Sequence, residues 1–256
     1  MRCVTQCKTI SQSDANPPDD AGYNQRFESR SANMSFFLTL IESTDLRRRE
    51  LEAVPKMHTM VHQGLTLPEY RAFLHDLYHI VWHFCPIMAT AASRCGDDFK
   101  HVRYDLYERI EEEQGHEDWV LEDIQAVGGD VEATRAKAPS APVQAMIAFN
   151  YYSAERTHPC SVMGMLYMLE VVASVYGGRV SESIARSIGR DVDSGGFKFL
   201  SSHATMDADH VAQMNILVKT ITDPAAQQAI INSTQVNFYQ FAQMFGPGGF
   251  EALIDQ

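Results

Sequence analysis

The sequence predicts an all-α protein, and three observations predict it. From Thr44 onward apolar residues recur with the 3.6-residue helical period, start and stop signals punctuate that pattern, and alternating apolar and polar runs are almost absent. At 256 residues the chain is long enough for one sizeable domain, and nothing in it marks a second core.

The elements follow in order. A helix is expected from about Asp45 to His62, disturbed at Pro55 and broken at Gly64 in "HQGLT". "TLPE" then supplies a capping box, Thr66 as N-cap and Glu69 three residues on, opening a helix that runs through "YRAFLHDLYHIVWHF" to Cys85-Pro86. Further helices are expected over Pro86 to Arg94, Phe99 to Val127, Ala141 to Arg156 and Cys160 to Tyr176, with Gly128-Gly129 and Gly177-Gly178 as two of the stops. A short helix near Val180 to Ile188 precedes two long ones, Gly196 to Ile221 and Pro224 to Phe245.

The first 33 residues are polar and lack the apolar core of a signal peptide, so residues 1–33 are expected to be a disordered leader to a single domain over 34–256. Met34, where apolar patterning begins, is the alternative start. Charge narrows the partners. With 33 acidic against 21 basic residues the net charge is −12, which disfavours nucleic acid and anionic membranes, leaves a small-molecule partner, and leaves a homodimer open. Five scattered cysteines lack paired zinc or disulfide spacing, which suits a reducing, cytoplasmic setting.

Three helices carry ionisable residues that need a reason. Glu113 and His116 lie three apart, a spacing that lets a carboxylate and an imidazole share one metal, although Glu-rich exposed helices produce it by chance. Glu170 interrupts the apolar run "SVMGMLYMLEVVASVYGG". An uncompensated carboxylate there would cost several kcal/mol, so it is protonated, salt-bridged or a metal ligand, and the ligand is the better reading. His203, Asp207 and His210 fall on one stripe of a third helix. Together these six residues offer three carboxylates and three imidazoles without a thiolate, an inventory suited to two irons rather than structural zinc.

At these residues the chain resembles a family: the haem-oxygenase-like di-iron oxidases, often called iron-containing redox enzymes, within the superfamily of haem oxygenase, thiaminase II and the pyrroloquinoline quinone synthesis oxidase. The resemblance runs from about Asp45 to Phe245. It is carried by "HQGLTLPEYRAFLHDLYHIV", "EEEQGHEDWVLEDIQAVGG", "VMGMLYMLEVVASVYGG" and the histidine and aspartate triplet. It implies a haem-oxygenase-like helical bundle and a metal set of Glu113, His116, Glu170, His203, Asp207 and His210, with Glu112 as the fallback for the first carboxylate. It also implies two iron ions, or a manganese and iron pair, that activate O2 to oxidise a fatty acid, an amino acid or an amine. The outcomes in the family are C–H cleavage, desaturation or decarboxylation, and N-oxygenation.

Haem oxygenase itself fits poorly, because "LRRRELEAV" holds no proximal histidine and His58 and His62 sit too close to the turn. A thiaminase-like enzyme would need a nucleophilic thiol, for which Cys85 and Cys160 qualify only by composition. His75, His79 and His83 form a second stripe with no carboxylate in it, and His79 and His83 are read as pocket-lining or hydrogen-bonded core residues rather than ligands. The substrate pocket is expected from Tyr78, His79, Trp82, His83, Met163, Tyr167 and Met168. A metal-independent enzyme of the same fold, or a non-catalytic metal or ligand carrier, remains the alternative.

Overall fold

A computed structural model describes residues 35–254, with the side chains of 204–211 outside the described set. The expected leader, 1–33, lies outside the described residues, and a compact unit begins at Phe36. It contains helices α1 (Phe36–Glu52), α2 (Pro55–His62), α3 (Leu67–Arg94), α4 (Lys100–Glu113), α5 (His116–Ala126) and α6 (Val131–Ala136). These are followed by α7 (Ala141–Arg156), α8 (Val162–Ser187), α9 (Lys198–Val218) and α10 (Pro224–Gln243), with short 3-10 turns between some of them. No strand occurs among the described residues, so the fold is all-α.

Several boundaries differ from the expectation, each for a physical reason. Pro55 separates α1 from α2 because it forces the preceding Val54 out of the helical region, to φ −66° and ψ 120°. Pro86 does not stop α3. A proline inside a helix costs about 3 kcal/mol, but the turns beyond it bury Ile87, Met88, Ala91 and Ala92, and that packing outweighs the cost. Gly177 and Gly178 do not stop α8 either, since Val180, Ile184 and Ala185 bury beyond them. The single helix expected over 99–127 is two, broken at Gln114-Gly115, where Gly115 adopts φ +91° that a side chain would strain. Helix α6 was not expected; Asp130 caps it by accepting from the Ala133 N–H at 2.9 Å.

The capping box forms as the sequence suggests. Glu69 Oε2 accepts from both the backbone N–H and the hydroxyl of Thr66, at 2.7 and 2.6 Å. Around the bundle α9 and α10 pack on α8, while α3 packs on α4, α5 and α7. Gly164 lets α8 and α10 approach closely, because a Cβ there would stand 2.6 Å from the Ile230 carbonyl. A buried pair of amides, Asn150 and Asn237, ties α7 to α10 with bonds of 2.7 and 3.0 Å. Among the described residues one segment, Pro159–Ser187, is long and apolar enough to cross a membrane; it contains α8, and 61% of its most apolar stretch is buried inside the bundle.

Candidate metal centre

Glu113 ends α4, His116 begins α5, and the left-handed Gly115 turns the chain between them. The two are therefore not stacked on one continuous helix, as their spacing suggested, but flank a corner. The corner still brings them together: His116 Nδ1 lies 2.9 Å from Glu113 Oε2. His203, from the first half of α9, points its Nε2 at the same oxygen from 3.7 Å. Donor atoms of Glu113, His116 and His203 all lie within 4.8 Å of one another, and the two imidazoles are 5% and 6% exposed.

Neighbouring groups hold this set in place. His203 Nδ1–H donates to the Phe199 carbonyl at 2.9 Å, which orients the ring and turns Nε2 toward the cluster. Trp119 stacks on His116 and Phe199 on His203, each with ring centres 4.0 Å apart. Burial alone would push the Glu113 carboxyl up, but the hydrogen bonds and charges of His116 and His203 outweigh it and bring it down to about 2. An ionised carboxylate between two imidazoles, gathered from three helices, is a donor set that suits a divalent iron.

Two further residues act on this frame and were not among the expected site residues. Asp123 lies seven residues after His116, on the same face of α5, and its two oxygens accept from the Lys198 and Phe199 N–H groups at 2.8 and 2.9 Å. It thereby caps α9, which has no cap of its own, and fixes the height of His203 against His116. Arg109 is 5% exposed; its Nε donates to Asp105 at 2.7 Å and its Nη1 to Glu170 Oε1 at 2.6 Å. Asp123 falls in the expected helix without a spacing signal, and the partner of Arg109 stands 61 residues away, so neither was visible locally.

Glu170 is buried, and it lines the same cavity as Glu113 and His203. Its donor atoms are not among the three that converge, and Arg109 satisfies one of its oxygens. Asp207 and His210 lie on the backbone of α9 with side chains outside the described residues. Glu112, the fallback, is exposed.

The cavity beside the cluster is walled by apolar side chains, among them Phe73, Leu77, Val172, Phe199, Phe241 and Phe245. None of the expected pocket residues lines it. Helix α3 faces the cavity with Phe73, Leu77, Ile80, Val81 and Phe84, so Tyr78, His79, Trp82 and His83 are rotated away, and Trp82 is 46% exposed. On α8 the cavity begins at Leu169, while Met163, Tyr167 and Met168 sit in the core before it. The α3 histidines find other partners: His75 Nε2 lies 3.2 Å from the Ala138 carbonyl and His83 Nδ1 shares a bond of 3.0 Å with the Tyr151 hydroxyl. Burial first, then the neighbouring His75, brings His79 down to about 4. His58 and His62 are exposed on α2, so neither stands as a haem ligand within the bundle.

The model of a family described as iron-containing redox enzyme matches residues 71–237. Among solved structures, a domain of unknown function with a haem-oxygenase-like fold from Shewanella denitrificans superposes with a TM-score of 0.73 at 20% identity, covering 83% of this chain and 91% of its own. A TenA homologue from Pseudomonas syringae pv. tomato gives 0.70 at 16% identity, with 87% and 93% covered. A TenA homologue from P. horikoshii gives 0.65 at 10%, with 83% and 100% covered. At these identities the likeness shows the fold, which is haem-oxygenase-like. No curated protein matches the chain.

Proposed function

The chain belongs to the iron-containing redox enzyme family, and from that premise we propose that it is a non-haem iron-dependent oxidoreductase acting on a small organic molecule with apolar length. The observation that carries this reading is the placement of Glu113, His116 and His203 at the wall of an apolar cavity. Those three residues would hold one ion. Glu170, with Asp207 and His210 on α9, would complete a two-iron site. Bound iron would supply the activation of O2. The protein's own part is to seat an apolar chain against Phe73, Leu77 and Phe245, to keep water out, and to hold His203 through Phe199 and α9 through Asp123. Fatty acids, amino acids with long side chains and amines meet that description, with C–H cleavage, desaturation or decarboxylation, or N-oxygenation as outcomes.

A thiaminase-like reaction is the second reading, and the thiols disfavour it. Nucleophilic cysteines have lowered pKa values, whereas burial pushes Cys160 up to about 12 and Cys85 up to about 11, the latter helped by Glu113 and Glu117. The test is anaerobic reconstitution of the full chain with Fe(II), then exposure to O2 with a panel of medium-chain acids, amines and amino acids. Substrate-dependent O2 consumption with an oxidised product is the expected result. Iron binding without such consumption would make the protein a carrier, and substrate conversion without iron would make it a metal-independent enzyme.

A further inference from the structure

The apolar cavity has a second polar end. Among the described residues its polar side chains are Glu113, Glu170 and His203, which belong to the centre, and Tyr176. Tyr176 is half-buried and links the cavity wall to the surface, because its hydroxyl donates to Oε1 of the exposed Glu52 on α1 at 2.8 Å. Burial first, then Glu52, pushes that phenol up to about 12, so it stays a neutral donor that Glu52 already holds. The Arg179 guanidinium stands over the Tyr176 ring, 5.5 Å from its centre. Arg179 is exposed and pairs with no carboxylate among the described residues. Its neighbours are already engaged: Arg48 lies 2.7 Å from Asp45 and 3.5 Å from Glu52, and Glu182, one turn along α8, lies 3.9 Å from Arg186.

We propose that Arg179, braced on Tyr176, is the head-group anchor of this cavity: it takes the carboxylate of a medium-chain acid at the rim, so that the alkyl tail runs inward and its distal carbons face Glu113, Glu170 and His203. A guanidinium can meet a ring with its face and a carboxylate with its N–H edge at once, and that edge suits a bidentate pair. Helix α8 is continuous from Glu170 to Arg179, about 13 Å of helix rise, and between them it presents Val172, Ala173, Tyr176 and Gly177 to the cavity. An alkyl chain laid along that wall meets apolar surface over its length. An ammonium head at the rim would instead be repelled by Arg179.

This inference rests on the proposed function for what lies at the inner end, and the experiment separates the two by using the metal-free full chain. Decanoate, methyl decanoate and decylamine are titrated by calorimetry into wild type, Arg179→Ala, Arg179→Lys and Arg179→Glu, with thermal melts confirming that each is folded. Wild type is expected to bind decanoate about fivefold or more tighter than the ester or the amine, and added salt to shrink that preference. Arg179→Ala is expected to lose it while affinity for the ester moves less than about twofold. Arg179→Lys keeps a cation and is expected to retain part of it, and Arg179→Glu to favour decylamine instead. Equal binding of the three probes by wild type, or an acid preference that survives in Arg179→Ala and Arg179→Glu, overturns the inference. Fe(II) uptake is measured in parallel. Decanoate binding that appears only with Fe(II), and equally in Arg179→Ala, overturns the anchor and leaves the proposed function standing. An acid preference that depends on Arg179 in a chain that takes up no iron supports the anchor and overturns the proposed function. No binding of any probe, with or without Fe(II), overturns the anchor together with the apolar substrate of the proposed function.

Discussion

Helix α3 carries His75, His79 and His83 at four-residue steps along one helix, whereas Glu113, His116 and His203 come from three helices and meet at one point. Both groups are rich in imidazole and partly or fully buried, yet only the second gathers a carboxylate. The α3 rings follow one another along the helix, and His75 and His83 each spend a nitrogen on a backbone carbonyl and a tyrosine hydroxyl respectively. In the centre, a tight corner at Gly115 and a cap at Asp123 aim donors from separate elements at one spot. Regular spacing makes a stripe, and only convergence makes a coordination site.

That contrast can be broken most forcefully at His203. His203→Ala is expected to lower Fe(II) affinity by more than about 100-fold, beyond the 10- to 100-fold typical of losing a group that merely orients a ligand; calorimetry of the anaerobic variant measures it. Next comes Asp123→Ala, which strips two charge-assisted bonds from the buried start of α9. Urea melts are expected to show a loss of about 4 kcal/mol, and the folded fraction a weaker hold on iron, since His203 loses its fixed height.

The α3 side sharpens the contrast through pH. Asp76 is fully buried between α3 and α7, where burial raises its carboxyl to about 6 although the Ser140 N–H and hydroxyl, at 2.7 and 2.5 Å, pull the other way. Between the ordinary carboxylate value of 3.8 and about 6 the folded state therefore binds the proton more tightly than the unfolded one, and this group's contribution to stability falls as pH rises. Asp76→Asn removes that slope. Its stability relative to wild type is expected to rise by about 3 kcal/mol from pH 3.5 to pH 6.5, read from chemical denaturation at each pH; a flat difference would contradict the assignment. The smallest effect is expected at His79→Phe, where Fe(II) affinity stays within about twofold of wild type because the stripe and the centre share no ligand.

Much of the fold was legible because its signals are local. Thr66 with Glu69 marks a helix start within a few residues, and the starts expected at Ala141 and Pro224 stand where helices begin. The helices that overran their expected stops, at Pro86 and at Gly177-Gly178, did so because of burial on turns further along. That is a tertiary effect which no local pattern carries. In the centre, residue types and spacing drew attention to Glu113, His116 and His203, but the turn that joins the first two was read as continuous helix. The cavity wall was missed by about one residue of rotation on α3, since 100° per residue moves Tyr78 off the face that Leu77 presents. The pairing of Arg109 with Glu170 joins helices far apart in the chain, so no local pattern carried it.

The comparison comes down to where iron would bind. Crystals of the full chain grown anaerobically with Fe(II), with data collected on both sides of the iron absorption edge, locate the metal directly. The strongest anomalous peak is expected between Glu113, His116 and His203, at about 2.0–2.2 Å from the imidazole nitrogens and a carboxylate oxygen. A peak on the His75, His79 and His83 stripe, or none at the Glu113 corner in protein shown to hold iron, would contradict the account.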